Sequence, residues 1–260
     1  MDIKNFKCTV AYKGTSYYGW QKQRNFLTVQ GILEYALEKI FAKQIKTHGA
    51  SRTDAGVHAF GQVFSFKIET SLRPENVKNI LNDLLPDDIV IKNAEEVNYD
   101  FTPRENVREK FYRYIVYNAP FLHPVYKGLC WQVEGRIDIG KIRQILPIFT
   151  GNKNYFSFSK SGSDDRQFVR SIDKLRVVKK NKWIYFDYEG QGFLYQMLRK
   201  ITSVFIMFAK DKIEKGLVEE MFEKQDRRLF GYIAPPDGLY LMKITYNKGA
   251  NGKNILHHRR

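Results

Sequence analysis

Hydrophobic period is what most constrains this chain, because it switches between two values twice in comparable order. From Phe6 to Tyr12 the residues Phe6, Cys8, Val10 and Tyr12 alternate with Lys7, Thr9 and Ala11, as in a strand with unlike faces. Thr28 then stands where a helix N-cap belongs, and Ile32, Leu33, Ala36, Leu37, Ile40 and Phe41 recur at helical spacing to make one apolar stripe. Gly61 to Ile68 returns to strand character. Pro74 suits the first turn of a short helix running toward Leu84, Pro86-Asp87-Asp88 ends it, and Ile89 to Val97 reads as a strand.

The second pass starts with a ring-rich strand, Lys110 to Tyr117, followed by a helix that Asp138 caps and that carries Ile139, Ile142, Ile145, Leu146 and Phe149. Val169 to Val178 reads as a strand, Lys180-Asn181 as a turn and Trp183 to Tyr188 as the returning strand. A long helix is expected from about Phe193 to Phe208, and a last strand from Leu239 to Tyr246. Two passes without detectable sequence repetition predict an α+β fold of two ferredoxin-like, RRM-like halves, each with a mainly antiparallel sheet flanked by helices. The halves are expected at residues 1–106 and 107–247, with a basic tail at 248–260 and a cleft between the halves as the place for chemistry.

Charge narrows the partner. Lys and Arg number 43 against 28 Asp and Glu, a surplus of +15, which favours a polyanion such as nucleic acid or an anionic membrane. The longest apolar run, Ile201 to Ala209, is far shorter than the ~20 residues of a membrane span, and the start Met1-Asp2-Ile3-Lys4-Asn5 lacks the apolar stretch of a signal peptide. A cytoplasmic protein is therefore expected. With 16 Tyr, 19 Phe and 3 Trp, the chain has rings to spare for stacking on unpaired bases once a core is filled.

Cys8 and Cys130 have no neighbouring ligands, and the five histidines show no metal-binding spacing. Asp87-Asp88 and Asp164-Asp165 are the paired carboxylates a glycoside hydrolase would need, but both sit among turn residues.

One loop concentrates chemistry: Ser51-Arg52-Thr53-Asp54-Ala55-Gly56-Val57-His58-Ala59. Gly56 permits a positive φ there, and Ala55 lets a ligand approach the backbone. On spacing alone Asp54 reads as readily as a turn acid, and Arg52 as half of a surface ion pair.

The segment resembles the Gly-Arg-Thr-Asp-Ala-Gly-Val-His-Ala signature of the TruA family of tRNA pseudouridine synthases. Further matches run in the family's order: Tyr12-Lys13-Gly14 with Tyr17-Tyr18-Gly19-Trp20-Gln21-Lys22-Gln23, Thr28-Val29-Gln30, and Leu85-Pro86-Asp87-Asp88-Ile89. Tyr112 to Asn118, Phe193-Leu194, Met197-Leu198-Arg199 and Gly238-Leu239-Tyr240-Leu241 complete the series.

The resemblance implies conversion of uridine to pseudouridine without a cofactor, among uridines 38 to 40 of the anticodon arm, by a homodimer that binds tRNA. It assigns Asp54 as the carboxylate that attacks C1′ or takes a proton from C2′. Arg199 becomes the cation that keeps it ionised, and Tyr112 the ring that stacks on the target base and assists loss of the C5 proton. Arg52 would replace the flipped nucleotide or hold its phosphate. Periodicity alone puts Arg199 opposite the stripe Met197, Ile201, Val204, Phe205 and Phe208, on a solvated side. Departures from the family pattern are Ser51, Tyr195-Gln196, Ser203 and Thr102-Pro103-Arg104. A catalytically silent RNA-binding protein would share the charge and the rings, but would not need the Arg-Thr-Asp-Ala-Gly segment.

Overall fold

The computed structural model describes residues 2–105, 107–162 and 167–247; the Asp164-Asp165 pair and the tail at 248–260 lie outside them. The fold is mixed α+β, with mainly antiparallel pairing and five α-helices among the described residues. It divides into two compact units, one formed by Met1–Arg108 with the chain from Lys243 onward, the other by Glu109–Met242.

In the first unit β1 (Ile3–Tyr12) leads to α1 (Val29–Phe41), the short β2 (His48–Gly49), β3 (His58–Glu69), α2 (Pro74–Leu84) and β4 (Ile89–Val97). β1 is central, antiparallel to β3 from Ile3↔Glu69 to Tyr12↔Ala59 and to β4 from Asn5↔Val97 to Tyr12↔Ile89. Its alternation places Phe6, Cys8 and Val10 in the core without exposure, together with Val29, Leu33 and Leu37 of α1 and Val77 and Leu81 of α2. Burial pushes the Cys8 thiol far up, so it stays an unreactive apolar side chain.

Helix α1 starts where expected, because the Thr28 hydroxyl accepts a bond from the Gly31 amide at 3.3 Å. The other side of β1 is covered by polar contacts. The Asn5 side-chain amide donates to the carbonyls of Asn98, Tyr99 and Phe101 at 3.0, 3.1 and 3.0 Å. Lys7 pairs with Glu95 at 2.9 Å while its ammonium lies 4.8 Å from the Tyr246 ring centre.

The second unit runs through β5 (Val107–Asn118), β6 (Trp131–Val133), α3 (Ile139–Ile145), β7 (Gly151–Asn154), β8 (Val169–Ile172), β9 (Lys174–Lys180), β10 (Trp183–Gly190), α4 (Met197–Ala209) and α5 (Lys215–Lys224). The last strand, β11 (Leu239–Tyr246), crosses the division at Lys243. β10 lies between β5 and β9, antiparallel to both, and β6 joins β5 in parallel. The facing pair Arg113↔Asp187 is joined by two parallel bonds of 2.7 and 2.8 Å. Phe205 of α4 stacks on Phe186 of β10 with ring centres 5.7 Å apart and meets Phe149 edge-on at 4.8 Å, all three rings fully buried.

Three local expectations change. The strand expected over Val169–Val178 is two strands. β8 pairs with β7, whereas β9 pairs with β10, and the break falls at Asp173, whose amide turns to the Glu189 carbonyl at 2.8 Å. Helix α4 begins at Met197 instead of Phe193, because Gln196 adopts a left-handed φ of 58° that a helix cannot carry inward. Helix α3 tightens into a 3₁₀ turn over Leu146–Phe149, where Pro147 removes an amide donor. Helix α5, which buries Val218 and Met221 one turn apart, has too few apolar positions to have stood out in the sequence.

The apolar layer under β1 sets the stability of the first unit. Leu33→Ala, which empties a fully buried site, is expected to cost about 2–5 kcal/mol of unfolding free energy. Denaturant titration of the variant beside the wild type measures it.

Candidate functional site

The Asp54 loop hangs between β2 and β3, whose pairing (His48↔Ser65, Gly49↔Phe64) fixes its two ends. Its entry is held by one side chain. Gln62, fully buried, accepts from the Ser51 amide at 3.2 Å and donates to the Ser51 carbonyl at 2.6 Å, copying a backbone pairing. Ser51 therefore needs no glycine conformation, and its φ is not positive; the departure from the family's glycine is accommodated by the backbone.

The middle of the loop is gripped by the segment that follows β1. The Trp20 amide donates to the Thr53 carbonyl at 3.1 Å, the Gly56 amide to the Tyr17 carbonyl at 3.1 Å, and the Tyr12 and Thr53 hydroxyls share a buried bond of 2.8 Å. The Gly14 amide donates to His58 Nδ1 at 3.0 Å. His58 is buried and serves the loop's frame. Tyr17 is itself tethered, donating its hydroxyl to the Asp88 carboxylate, while the Asp88 carbonyl accepts from the Lys13 amide at 2.9 Å. The Tyr-Tyr-Gly-Trp and Pro-Asp-Asp segments of the sequence thus hold the back of the Asp54 loop.

Within that frame Asp54 is half-buried and Arg52 exposed. The Val57 amide donates to the Asp54 carbonyl at 3.1 Å, closing a tight turn in which Gly56 has the expected positive φ of 80°. Gly19 is more demanding still, with a φ of 86° and no room for a Cβ, which would stand 2.5 Å from the Thr53 carbonyl oxygen.

In the second unit Tyr112 lies on β5 opposite Tyr188, 6% exposed, and its ring meets that of Phe193 edge-to-face at 5.5 Å. Arg199 sits in the first turn of α4. The solvated side expected there is absent: α4 buries residues almost all round, and Arg199 is half-buried with Nε donating to the Ala234 carbonyl at 2.8 Å. The cause is the segment at 230–238, which covers the polar side of the helix. Ser203 Oγ reaches the Tyr232 carbonyl at 2.9 Å as well as the Lys200 carbonyl at 2.7 Å, and the Tyr114 hydroxyl donates to the Pro235 carbonyl at 2.6 Å. Serine in place of the family's helix glycine thereby gains a bond that helps hold the covering segment.

Asp54 and Arg52 share one loop of the first unit, and Tyr112 and Arg199 belong to the second. Sequence analysis gave no role to Gln62 and named the segment that forms the Tyr17–Trp20 clamp only as part of the resemblance. The clamp had a signal in its glycine and its rings. Gln62 had none, since a polar residue on a strand ordinarily faces water.

Beside Arg199, Lys200 is an outlier: 4% exposed, its ammonium 3.1 Å from the Arg227 carbonyl. Burial, then the charge of Arg227, push its pKa down to about 8, with Asp226 opposing them. Among the described residues no three His, Cys, Asp or Glu side chains cluster in a way that could hold a metal ion, and no helix is long and apolar enough to cross a membrane.

Comparison with known proteins places the sequence among relatives. A family profile described as tRNA pseudouridine synthase matches residues 9–104 and 147–247. The chain is 36% identical over 244 residues to a protein of Thermoanaerobacter sp. named tRNA pseudouridine synthase A, covering 94% of this chain and all of the relative. It is 37% identical over 245 residues to one of the same name from Geobacillus sp., covering 94% of this chain and 99% of that one. A Bacillus cereus protein named tRNA pseudouridine synthase A 1 is 36% identical over 246 residues, again with 94% and 100% covered.

Two measurements check the local readings. Gly19→Ala is expected to cost about 1–3 kcal/mol through backbone strain and to speed hydrogen exchange at the Gly56 and Val57 amides, which the clamp and the turn protect. For Lys200, the unfolded chain keeps a proton between pH 8 and the ordinary 10.5 that the folded chain has already lost. Its contribution therefore becomes more favourable as pH rises through that window. Denaturant unfolding of the wild type against Lys200→Met, at steps from pH 7 to 10.5, should show the difference moving in favour of the wild type as pH rises.

Proposed function

The chain belongs to the tRNA pseudouridine synthase family, a family of isomerases, and on that premise we propose that it converts uridine to pseudouridine at one or more of positions 38 to 40 of the tRNA anticodon arm, with Asp54 as the essential carboxylate. The protein is proposed to work as a cytoplasmic homodimer. The observation that carries the assignment of Asp54 is the investment in its loop. Five separate hydrogen bonds to β1, the segment after it and Gln62 hold the loop on both sides of this one half-buried acid, as preorganisation of a reacting group requires.

The reaction conserves every atom of the nucleoside. The bond from ribose C1′ to uracil N1 breaks, the base turns, a bond from C1′ to C5 forms, and C5 gives up its proton while N1 gains one. Asp54 opens the sequence by attacking C1′ or by taking the C2′ proton. Either role needs the ionised carboxylate, and Arg199 is proposed as the cation that offsets its desolvation. Tyr112 is proposed to stack on the base and to assist departure of the C5 proton. Arg52, exposed on the same loop as Asp54, is proposed to fill the place of the extruded nucleotide or to hold its phosphate.

Purified protein incubated with tRNA tritiated at uridine C5 tests this directly. The wild type is expected to release label to water, and Asp54→Asn to release none above background while still binding tRNA. Label release by Asp54→Asn at the wild-type rate would remove Asp54 from the chemistry. Absence of release by the wild type across several tRNAs would overturn the function, and mapping the modified position in the same material fixes the site.

A further inference from the structure

Between α5 and β11 the chain passes through a short turn at Arg227–Leu229 and then has no helix or strand over residues 230–235. Side chains of α4 and β5 take its carbonyls instead. Lys200 Nζ donates to Arg227 at 3.1 Å, Ser203 Oγ to Tyr232 at 2.9 Å, Arg199 Nε to Ala234 at 2.8 Å and the Tyr114 hydroxyl to Pro235 at 2.6 Å. Arg199, Lys200 and Ser203 lie together near the start of α4, so one stretch of helix holds both the segment and the arginine that the segment orients.

The Lys200 bond differs from the others in what stands behind its acceptor. Arg227 donates to the Ser159 carbonyl from Nε at 3.1 Å and to the Ser159 hydroxyl from a terminal nitrogen at 2.9 Å, and its guanidinium carbon lies 3.8 Å from the Phe156 ring centre. Ser159 is itself buried. Arg227 therefore joins the segment to the core of the second unit, and Lys200 ties α4 to the same point. An ammonium group on a residue only 4% exposed is costly to keep there. Asp226, the acid whose charge acts on it, is engaged by Arg228, accepting from the amide at 2.9 Å and from the guanidinium at 2.7 Å. An apolar side chain would serve stability as well, so the buried charge points to a positional requirement.

We infer that Lys200 is a positioning residue for the reaction: by pinning the Arg227 carbonyl to α4 it fixes the start of the segment at 227–235, and the Ala234 carbonyl of that segment in turn fixes the guanidinium of Arg199. The inference rests on the reading of Arg199 as the cation of the active site and extends it to the next residue of the helix. Successive helical residues project about 100° apart, so Lys200 acts through the segment and not by touching the same ligand.

The test uses Lys200→Met, which keeps the length of the side chain and removes its donor. Hydrogen exchange at Arg199 Nε, followed by nuclear magnetic resonance with the signal identified by its loss in Arg199→Lys, reports the bond to Ala234 without any need for activity. It is expected to speed about tenfold or more in Lys200→Met while the amides of β10 keep their rates. Acceleration of both alike would mark a general loss of stability and overturn the inference. With tRNA, the single-turnover rate at saturation is expected to fall about ten- to a hundredfold, with affinity within about twofold of the wild type. An unchanged rate, or a loss confined to affinity, would likewise overturn it.

Should Lys200→Met fail to fold, Arg227→Gln frees the acceptor from Ser159 and leaves Lys200 in place. The same two changes are expected from it, and the absence of either counts against the inference. An inactive wild type whose Arg199 exchange still depends on Lys200 would sink the enzymatic reading and keep the support of Arg199. An active wild type indifferent to Lys200 does the reverse.

Discussion

The bond from the Trp20 amide to the Thr53 carbonyl ties the chain leaving β1 to the loop that carries Asp54, and the geometry around it leaves little freedom. Gly19 must adopt a positive φ for that approach, because its missing Cβ is what lets two backbones touch. Trp20, 1% exposed, then packs its ring near those of Tyr12 and Phe64, which anchors the clamp in the core of the first unit. A loop fixed in this way can present a half-buried carboxylate without relying on the carboxylate's own contacts. A misplacement of even one ångström in such a group is costly to catalysis, and this explains why a surface loop is built with the economy of a core.

The second unit solves a related problem around a helix. Arg199 would be a solvated side chain if α4 were a surface helix, and its periodicity says no more than that. The segment at 230–238 lies over this side instead and is joined to it through Ser203, Arg199 and the neighbouring Tyr114. Lys200 beside it is buried as well, its ammonium bonded to the Arg227 carbonyl and its proton affinity lowered. Positive charge is thus held in the first turn of α4 at a real electrostatic cost.

Much of this was legible beforehand for a definite reason. Alternation in β1, the Thr28 cap and stripe of α1, and the Asp138 cap of α3 are local signals, set within a few residues by backbone sterics and side-chain bonding. The loop signature was legible through its resemblance to the family motif, since on spacing alone Asp54 reads as readily as a turn acid. Less legible were the sheet change at Asp173 and the late start of α4 at Met197. Those depend on which distant strand accepts an amide and on a left-handed residue, Gln196, that carries no composition signal.

The sequence by itself determined the α+β pattern, the basic balance suited to a polyanion, and Asp54 with Arg52 as the pair to examine. Only tertiary structure decided that Gln62 stands in for a strand partner of Ser51, that the polar side of α4 is covered, and that Lys200 is buried beside Arg227. The physical reason is range. Period and capping are fixed by neighbours along the chain, whereas a buried amide, a covered helix face and two like charges brought together depend on residues dozens of positions away.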